Sequence, residues 1–297
     1  MMPKNRSVLA LPLLLILGLS VWSCTGRSQS TTATTRQLAS VPLQPLSSGW
    51  LRRVRATADN PRLARQVIVD SIYANRTLEV ALAYGKMYDQ KPSSQFRLAN
   101  FAHAITVAEV FCPQRGEELT VPYSRAIQAL KAIVVPEQDL LPSEQAQAVL
   151  KKTKVADAWL AWGIFSIRYT MDHKSAGDIY KYALSLDPTF HEANYWMADR
   201  IIAPYNETYF KAHKDEAVQD LNIAEQFEPK LYPLVVDCRA NIALGNFDYK
   251  AAIPYLREYL RVWPSSPRAF VVARTLKQVE GLEQPRQTTN PVTPAAK

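Results

Sequence analysis

Three segments in the second half of this 297-residue chain close on a proline in the same way: Leu186-Asp187-Pro188, Glu228-Pro229 and Trp263-Pro264. Five, eight and twelve residues before Pro188 stand Ala183, Tyr180 and Ala176. The same offsets from Pro229 give Ala224, Leu221 and Ala217, and from Pro264 they give Tyr259, Leu256 and Ala252. A small residue, a large apolar one and a second small or aromatic one, repeated at fixed spacing, describe a helix that docks at close range on one side. Units of this kind cannot bury their apolar faces alone, so the sequence predicts several stacked in succession.

The composition agrees with helices. Hydrophobic residues make up 47% of the chain, ample for a core, and only nine glycines argue against a turn-rich β fold or a glycine-lined phosphate site. Asn60-Pro61 predicts a helix start, since Asn caps free amides and Pro suits the first helical position. Leu63, Val67, Ile68, Ile72 and Tyr73 follow at helical spacing, as its inward face. A second helix is expected over 77–88, and a third capped by Ser93-Ser94, with Phe96, Leu98, Phe101, Ile105, Val107 and Val110 as its apolar positions. A fourth is expected over about 117–134 and a short fifth over 143–152. No repeat period links these helices, which leaves either degenerate repeats or a distinct packing that caps the array.

Regularity begins near Val155. In the first unit Trp159, Trp162 and Gly163 precede Ala176, Tyr180, Ala183 and Pro188. In the second, Met197 and Ala198 precede Ala217, Leu221, Ala224 and Pro229, with extra residues in the turn. In the third, Ala240 and Ala243 precede Ala252, Leu256 and Pro264, with Gly245-Asn246 at the turn and Asp248 placed to cap. Small residues at Gly163, Ala198 and Ala240 would let paired helices approach closely. Residues 155–280 thus resemble the tetratricopeptide-repeat family. The resemblance implies an all-α fold, a right-handed α-solenoid of helical hairpins with a degenerate helical N-terminal half. In that family, the concave face formed by the first helices takes extended peptides or a partner's helix. Here that face would present Asp157, Leu160 and Ile164, then Tyr195, Asp199 and Ile202, then Asp237, Asn241 and Leu244. Three carboxylates among apolar side chains would suit a segment carrying Lys or Arg; alternatively, some of these residues pack against the long turn or the N-terminal half. Tyr205, Tyr209 and Phe210, around the long turn, either cover a gap in the core or add to a binding patch.

The chain's beginning carries a different signal. Lys4 and Arg6 precede an apolar run over 8–21 that ends at Val21-Trp22-Ser23-Cys24. A basic flank and a run shorter than the roughly 20 residues of a spanning helix describe an export signal. A small residue directly before Cys24 resembles a bacterial lipobox, which implies lipidation of Cys24; Trp22 departs from that pattern. The other readings are an ordinary export signal and an uncleaved anchor. The Ser/Thr/Gln-rich stretch that follows buries too little to offset its ordering entropy and reads as a flexible tether. The expected divisions are a signal over 1–23, the tether over 24–58, degenerate hairpins over 59–153, three repeat-like units and a capping helix over 154–281, and a disordered tail over 282–297.

Net charge is +8, with arginines concentrated at Arg52, Arg53, Arg55, Arg62 and Arg65. They read as a solvated stretch beside a membrane or as attraction to anionic head groups; nucleic acid is not expected as a partner. Cys112 and Cys238 sit in apolar helical settings and read as buried free thiols, although an oxidising compartment would permit a disulfide. No phosphate loop, nucleophile elbow or Cys-x-x-Cys occurs, and the four histidines do not stand at metal-binding spacing. His103 reads as a helix-face residue. The expectation is therefore no enzyme, no cofactor and no metal, but an exported, lipid-anchored scaffold at the cell envelope, binding a protein or peptide partner. The layout is also similar to T-component lipoproteins of TRAP-type uptake systems, which implies as the alternative a helical lipoprotein handling a small apolar ligand.

Overall fold

The computed structural model describes residues 43–112, 115–134, 153–170, 172–202 and 207–283. The expected signal, Cys24, most of the expected tether, the helix expected over 143–152, Tyr205 and the expected tail beyond its first two residues fall outside these residues; Leu282 and Glu283, expected in the tail, belong to the last helix. The described residues form twelve α-helices and no strand. They are α1 (Ser48–Thr57), α2 (Pro61–Tyr73), α3 (Thr77–Gln90), α4 (Gln95–Phe111), α5 (Gly116–Val134), α6 (Ala156–Thr170), α7 (His173–Leu186), α8 (Glu192–Ile202), α9 (Glu207–Phe227), α10 (Tyr232–Gly245), α11 (Tyr249–Val262) and α12 (Ala269–Glu283). A 3₁₀ turn, Pro229–Leu231, joins α9 to α10. Among the described residues no helix is long and apolar enough to cross a membrane.

Local chemistry sets the helix starts. The Asn60 side chain accepts from the Leu63 amide at 3.2 Å with Pro61 in first position, and Ser94 accepts from the Arg97 amide at 3.3 Å. Asp172 and Asp248 do the same for the Ser175 and Ala251 amides, each at 2.9 Å. Each side-chain oxygen takes one of the first-turn N–H groups that have no carbonyl within the helix. Helix α1 occupies residues expected to end the tether. Ser47 caps it, and Val54 and Thr57 are buried against α2 and α3, so enough of its surface is covered to order it.

The helices pack in pairs. α3 lies on α4, α6 on α7, α8 on α9, and α10 on α11, while α12 closes against α11. Successive pairs meet through α7 and α8 and through α9 and α10; α6 also touches α8, and α8 touches α10. The repeated small residues make these contacts possible. A Cβ on Gly163 would stand 2.3 Å from Tyr180 Cε1, which fixes glycine on α6 opposite a fully buried ring on α7. Ala176, Ala183, Ala217, Ala224 and Ala252 are all completely buried, as are Tyr180 and Leu221.

The N-terminal helices do not merely precede these pairs. α4 packs directly on α6, and α2 crosses the closing segments of all three proline-ended units. Arg62 and Arg65 of α2 bond to Asp187, Gln66 donates to Glu228 at 3.1 Å, and Asp70 pairs with Lys230 at 2.8 Å. Tyr73 then meets Trp263 edge-on with ring centroids 5.0 Å apart, and Asn75, just past the helix, donates to the Ser265 carbonyl at 3.0 Å. One apolar core runs through both halves, from Val54 to Val279.

This placement rotates α2 and the start of α4 away from the expected phase. Leu63 and Phe96, expected inward, are about half exposed, whereas Arg65 is buried. Arg65 turns inward because two carboxylates, Asp157 and Asp187, receive its guanidinium. Of the five clustered arginines, Arg53 pairs with Asp70 and Arg62 and Arg65 with Asp187, while Arg52 and Arg55 are exposed.

Candidate binding face

The three expected positions of the first unit are enclosed by the chain itself. Leu160 and Ile164 are fully buried, and Asp157 is 1% exposed. Both Asp157 oxygens accept from Arg65, from Nε and Nη2, at 2.8 Å each. His103 of α4 lies on the far side, its Nδ1 3.5 Å from Asp157 and its Nε2 3.0 Å from Glu192. Glu192 also accepts from the Trp196 indole at 3.1 Å. Behind this chain of charges the Arg65 guanidinium lies 3.4 Å from the centre of the Phe190 ring. His103, read as a helix-face residue, is completely buried. Burial opposes its charge, but the Glu192 and Asp157 carboxylates outweigh burial and hold its pKa up at about 9. Burial likewise opposes the Asp157 charge, and Arg65 and His103 reverse the balance, keeping its pKa below the ordinary carboxylate value.

The second and third units bring their expected residues together with partners that the sequence did not announce. Arg168, one turn beyond Ile164 on α6, reaches Asp199 of α8 at 3.5 Å. Arg268, just before α12, forms a close ion pair with Asp237 of α10. The Asp199 and Asp237 side chains are 14% and 12% exposed, at the bottom of a shared face rather than sealed within the core. Burial raises the Asp199 pKa, Arg168 opposes it and Asp237 adds to it; burial also raises that of Asp237, against the opposing charge of Arg268. Tyr195 and Cys238 are buried beside this pair, and Ile202, Asn241 and Leu244 complete the expected set, the last two half-buried.

Glu109 of α4 contributes a third carboxylate. Burial raises its pKa and Arg168 opposes the rise. Next to it runs a ladder of aromatic rings: Trp162 to Phe165 at 5.0 Å, Phe165 to Tyr169 at 5.1 Å, and Tyr169 to Tyr123 of α5 at 5.6 Å. Tyr169 is 56% exposed. The face thus combines three carboxylates, two arginines and an exposed aromatic edge. Its electrostatic excess is negative, and burial makes each unneutralised carboxylate costly until a cation meets it. Four-residue continuation of the expected α6 face from Ile164 leads to Arg168 and then to its neighbour Tyr169. Glu109 had no such signal, because its position depends on how α4 docks.

The expected aromatic turn divides. Phe210 is 2% exposed and fills space against Gly245, where a Cβ would stand 3.1 Å from its ring. Tyr209, half-buried on α9, lies between His173 and His213 with ring centroids at 4.4 and 4.2 Å. Tyr205 lies outside the described residues. Cys112 and Cys238 are free thiols, and burial pushes Cys112 up to about 11. Among the described residues no cluster of three or more His, Cys, Asp or Glu is placed to hold a metal ion.

Comparison with known proteins adds no relative: no protein-family model matches the chain, and no curated protein matches it in sequence.

Proposed function

We propose that this chain is an exported, lipid-anchored scaffold whose tetratricopeptide-like units hold a cationic segment of another protein at the bacterial cell envelope. The observation that carries this reading is the set of Glu109, Asp199 and Asp237, three partly buried carboxylates against two arginines, beside the exposed edge of Tyr169. A Lys or Arg side chain of a bound segment would restore the charge balance, and the aromatic ladder would receive its apolar stem. The repeated offsets and the pairwise packing of α6 to α11 support the tetratricopeptide-like reading of the scaffold. The basic flank, the short apolar run and Ser23-Cys24 support export and lipidation.

The test is direct binding of labelled peptides to the mature chain. Lys- and Arg-bearing peptides should bind in a salt-dependent manner, Glu-bearing peptides of matched apolar content should not, and Asp199→Asn with Asp237→Asn should weaken binding at least tenfold. Equal binding of both peptide sets, or unchanged binding by the double variant, refutes the assignment of this face. For the anchor, a Cys24→Ser variant that remains membrane-bound after signal removal refutes lipidation.

A further inference from the structure

Two apolar side chains that helical spacing places inward stand in solvent instead. Leu63, in the first turn of α2, is 54% exposed, and Phe96, in the first turn of α4, is 50% exposed. The starts of these two helices meet at the end of α1. Asp59, just past α1, accepts from Arg97 through both its oxygens at 2.8 Å, and the Asn100 amide donates to the Thr57 and Ala58 carbonyls at 3.2 and 2.9 Å. The segment leading into α6 joins them, since the Thr153 hydroxyl donates to Gln95 at 3.0 Å. Cations surround the two apolar groups. Arg52 and Arg55 lie about a turn apart on the outward side of α1, Lys91 follows α3, and Lys154 follows Thr153; all four are exposed, and none forms an ion pair among the described residues. Arg62 pairs with Asp187 at 3.0 Å, yet its side chain is still 68% exposed. The carboxylates of the same segments are committed: Asp59 to Arg97, Asp89 to Arg125, and Asp187 to Arg62 and Arg65. Exposed apolar groups thus lie within a surplus of positive charge. Water satisfies the cations but leaves Leu63 and Phe96 uncovered, whereas an apolar protein surface would cover those two and strand the cations.

We propose that this end of the molecule docks on an anionic lipid surface, with Arg52, Arg55, Lys91 and Lys154 among the phosphate head groups and Leu63 and Phe96 at the boundary with the acyl chains. Such a surface meets both demands at once, since it offers fixed negative charge above an apolar layer. Each Lys or Arg held close to it strengthens partition by roughly fivefold. That gain is lost within a Debye length, about 10 Å at 0.1 M salt, so only cations at the outer surface count. Arg65 is buried against Asp157 and Asp187 and takes no part. Docking also places the carboxylate face. Glu109 lies on the same helix as Phe96, about 20 Å further along its axis, and is therefore held away from the lipid, where a cationic segment can reach it. The inference rests on neither acylation of Cys24 nor peptide binding by that face.

Vesicle co-sedimentation tests this, using the mature chain with Cys24→Ser so that no acyl chain contributes. Vesicles of phosphatidylglycerol mixed equally with phosphatidylcholine should bind the protein, vesicles of phosphatidylcholine alone should not, and added salt should weaken the binding. Arg52→Gln with Arg55→Gln should weaken it at least tenfold and flatten the salt dependence. Leu63→Ser with Phe96→Ser should weaken it several-fold at every salt concentration while leaving that dependence in place. Lys250→Gln with Arg274→Gln makes the same charge change at exposed positions on α11 and α12 and should alter binding less than twofold. All these positions are exposed, and the thermal midpoint of each variant checks that the fold is kept. Failure to bind the anionic vesicles, equal binding to both vesicle types, or equal losses from the two charge variants would overturn the proposal. So would polyglutamate binding as tightly as the vesicles with no effect of the Leu63 and Phe96 changes, which would show a general anion-binding surface. The cationic-peptide assay on the carboxylate face is unaffected by Arg52→Gln and Arg55→Gln, so failure of one proposal is distinguishable from failure of the other.

Discussion

Arg65 and Asp157 face each other with two parallel bonds of 2.8 Å, joining α2 to α6 across 92 residues of sequence. Both side chains are nearly sealed from solvent. Removing one partner leaves the other as a buried charge, which costs on the order of 3–5 kcal/mol. Arg65→Ala should therefore lower unfolding stability by about that amount in urea titration. Arg65→Lys should recover only part of it, because an ammonium cannot reproduce the two-bond fork while also reaching Asp187. Loss of less than about 1 kcal/mol in Arg65→Ala would contradict the role assigned to this pair.

The His103 network makes stability depend on alkaline pH. Its folded pKa, about 9, lies above the ordinary value of 6.5. The charged form is thus favoured by folding; its contribution is complete below pH 6.5 and fades as pH rises through about 9. Thermal midpoints of the wild-type chain should fall between pH 6.5 and 9.5. In His103→Gln the midpoint should start lower and vary less over that interval.

Asp220 has the opposite chemistry and the same sign. Burial, reinforced by Glu216 and opposed by Arg200 and Lys181, raises its pKa to about 7, and its Oδ2 has no hydrogen-bond partner. A carboxylate raised this way stabilises the fold below its unfolded pKa, and that contribution is lost as pH rises through about 7. Asp220→Asn should raise the thermal midpoint at pH 7.5, at about 2–4 °C per kcal/mol gained, and the advantage should shrink toward pH 4.

Gly163 tests the helix-pair packing. A methyl group placed 2.3 Å from the Tyr180 ring forces α6 and α7 apart, so Gly163→Ala should cost at least the roughly 1–3 kcal/mol of an overpacked core. Tyr180→Phe in the same chain should not relieve it, since the clashing atoms belong to the ring. Tyr180→Leu should relieve part of it. Full stability of Gly163→Ala would contradict the close approach.

The parts legible in the sequence were those governed by neighbours along the chain. Asn60, Ser94 and Asp248 announced helix starts because a cap needs only the next three residues. Ala176, Tyr180 and their counterparts announced paired helices because the offsets repeat. The partners of Arg65 were not legible: the nearest charged residue along the chain is another arginine, Arg62, and nothing local distinguishes a guanidinium that seeks solvent from one that seeks Asp157. His103 was hidden for the same reason, its Glu192 contact being separated by 89 residues. At the candidate face, Asp199 and Asp237 followed from helical register, whereas Glu109 required the docking of α4 on α6. The end of the expected tether was ordered by Ser47 and by tertiary burial of Val54, which composition does not express.

The passage of α2 over three successive proline-ended segments bears on how the protein folds. An array of units that touch only their neighbours unfolds piecemeal, with stabilities that add along its length. Here Arg65, Gln66 and Asn75 tie one end of the chain to segments 122, 162 and 190 residues away. Those ties close long loops before they return any energy, which slows folding. They also couple the last unit to the first, so the protein should melt in one transition, and deleting the final pair of helices should loosen α2 along its whole length.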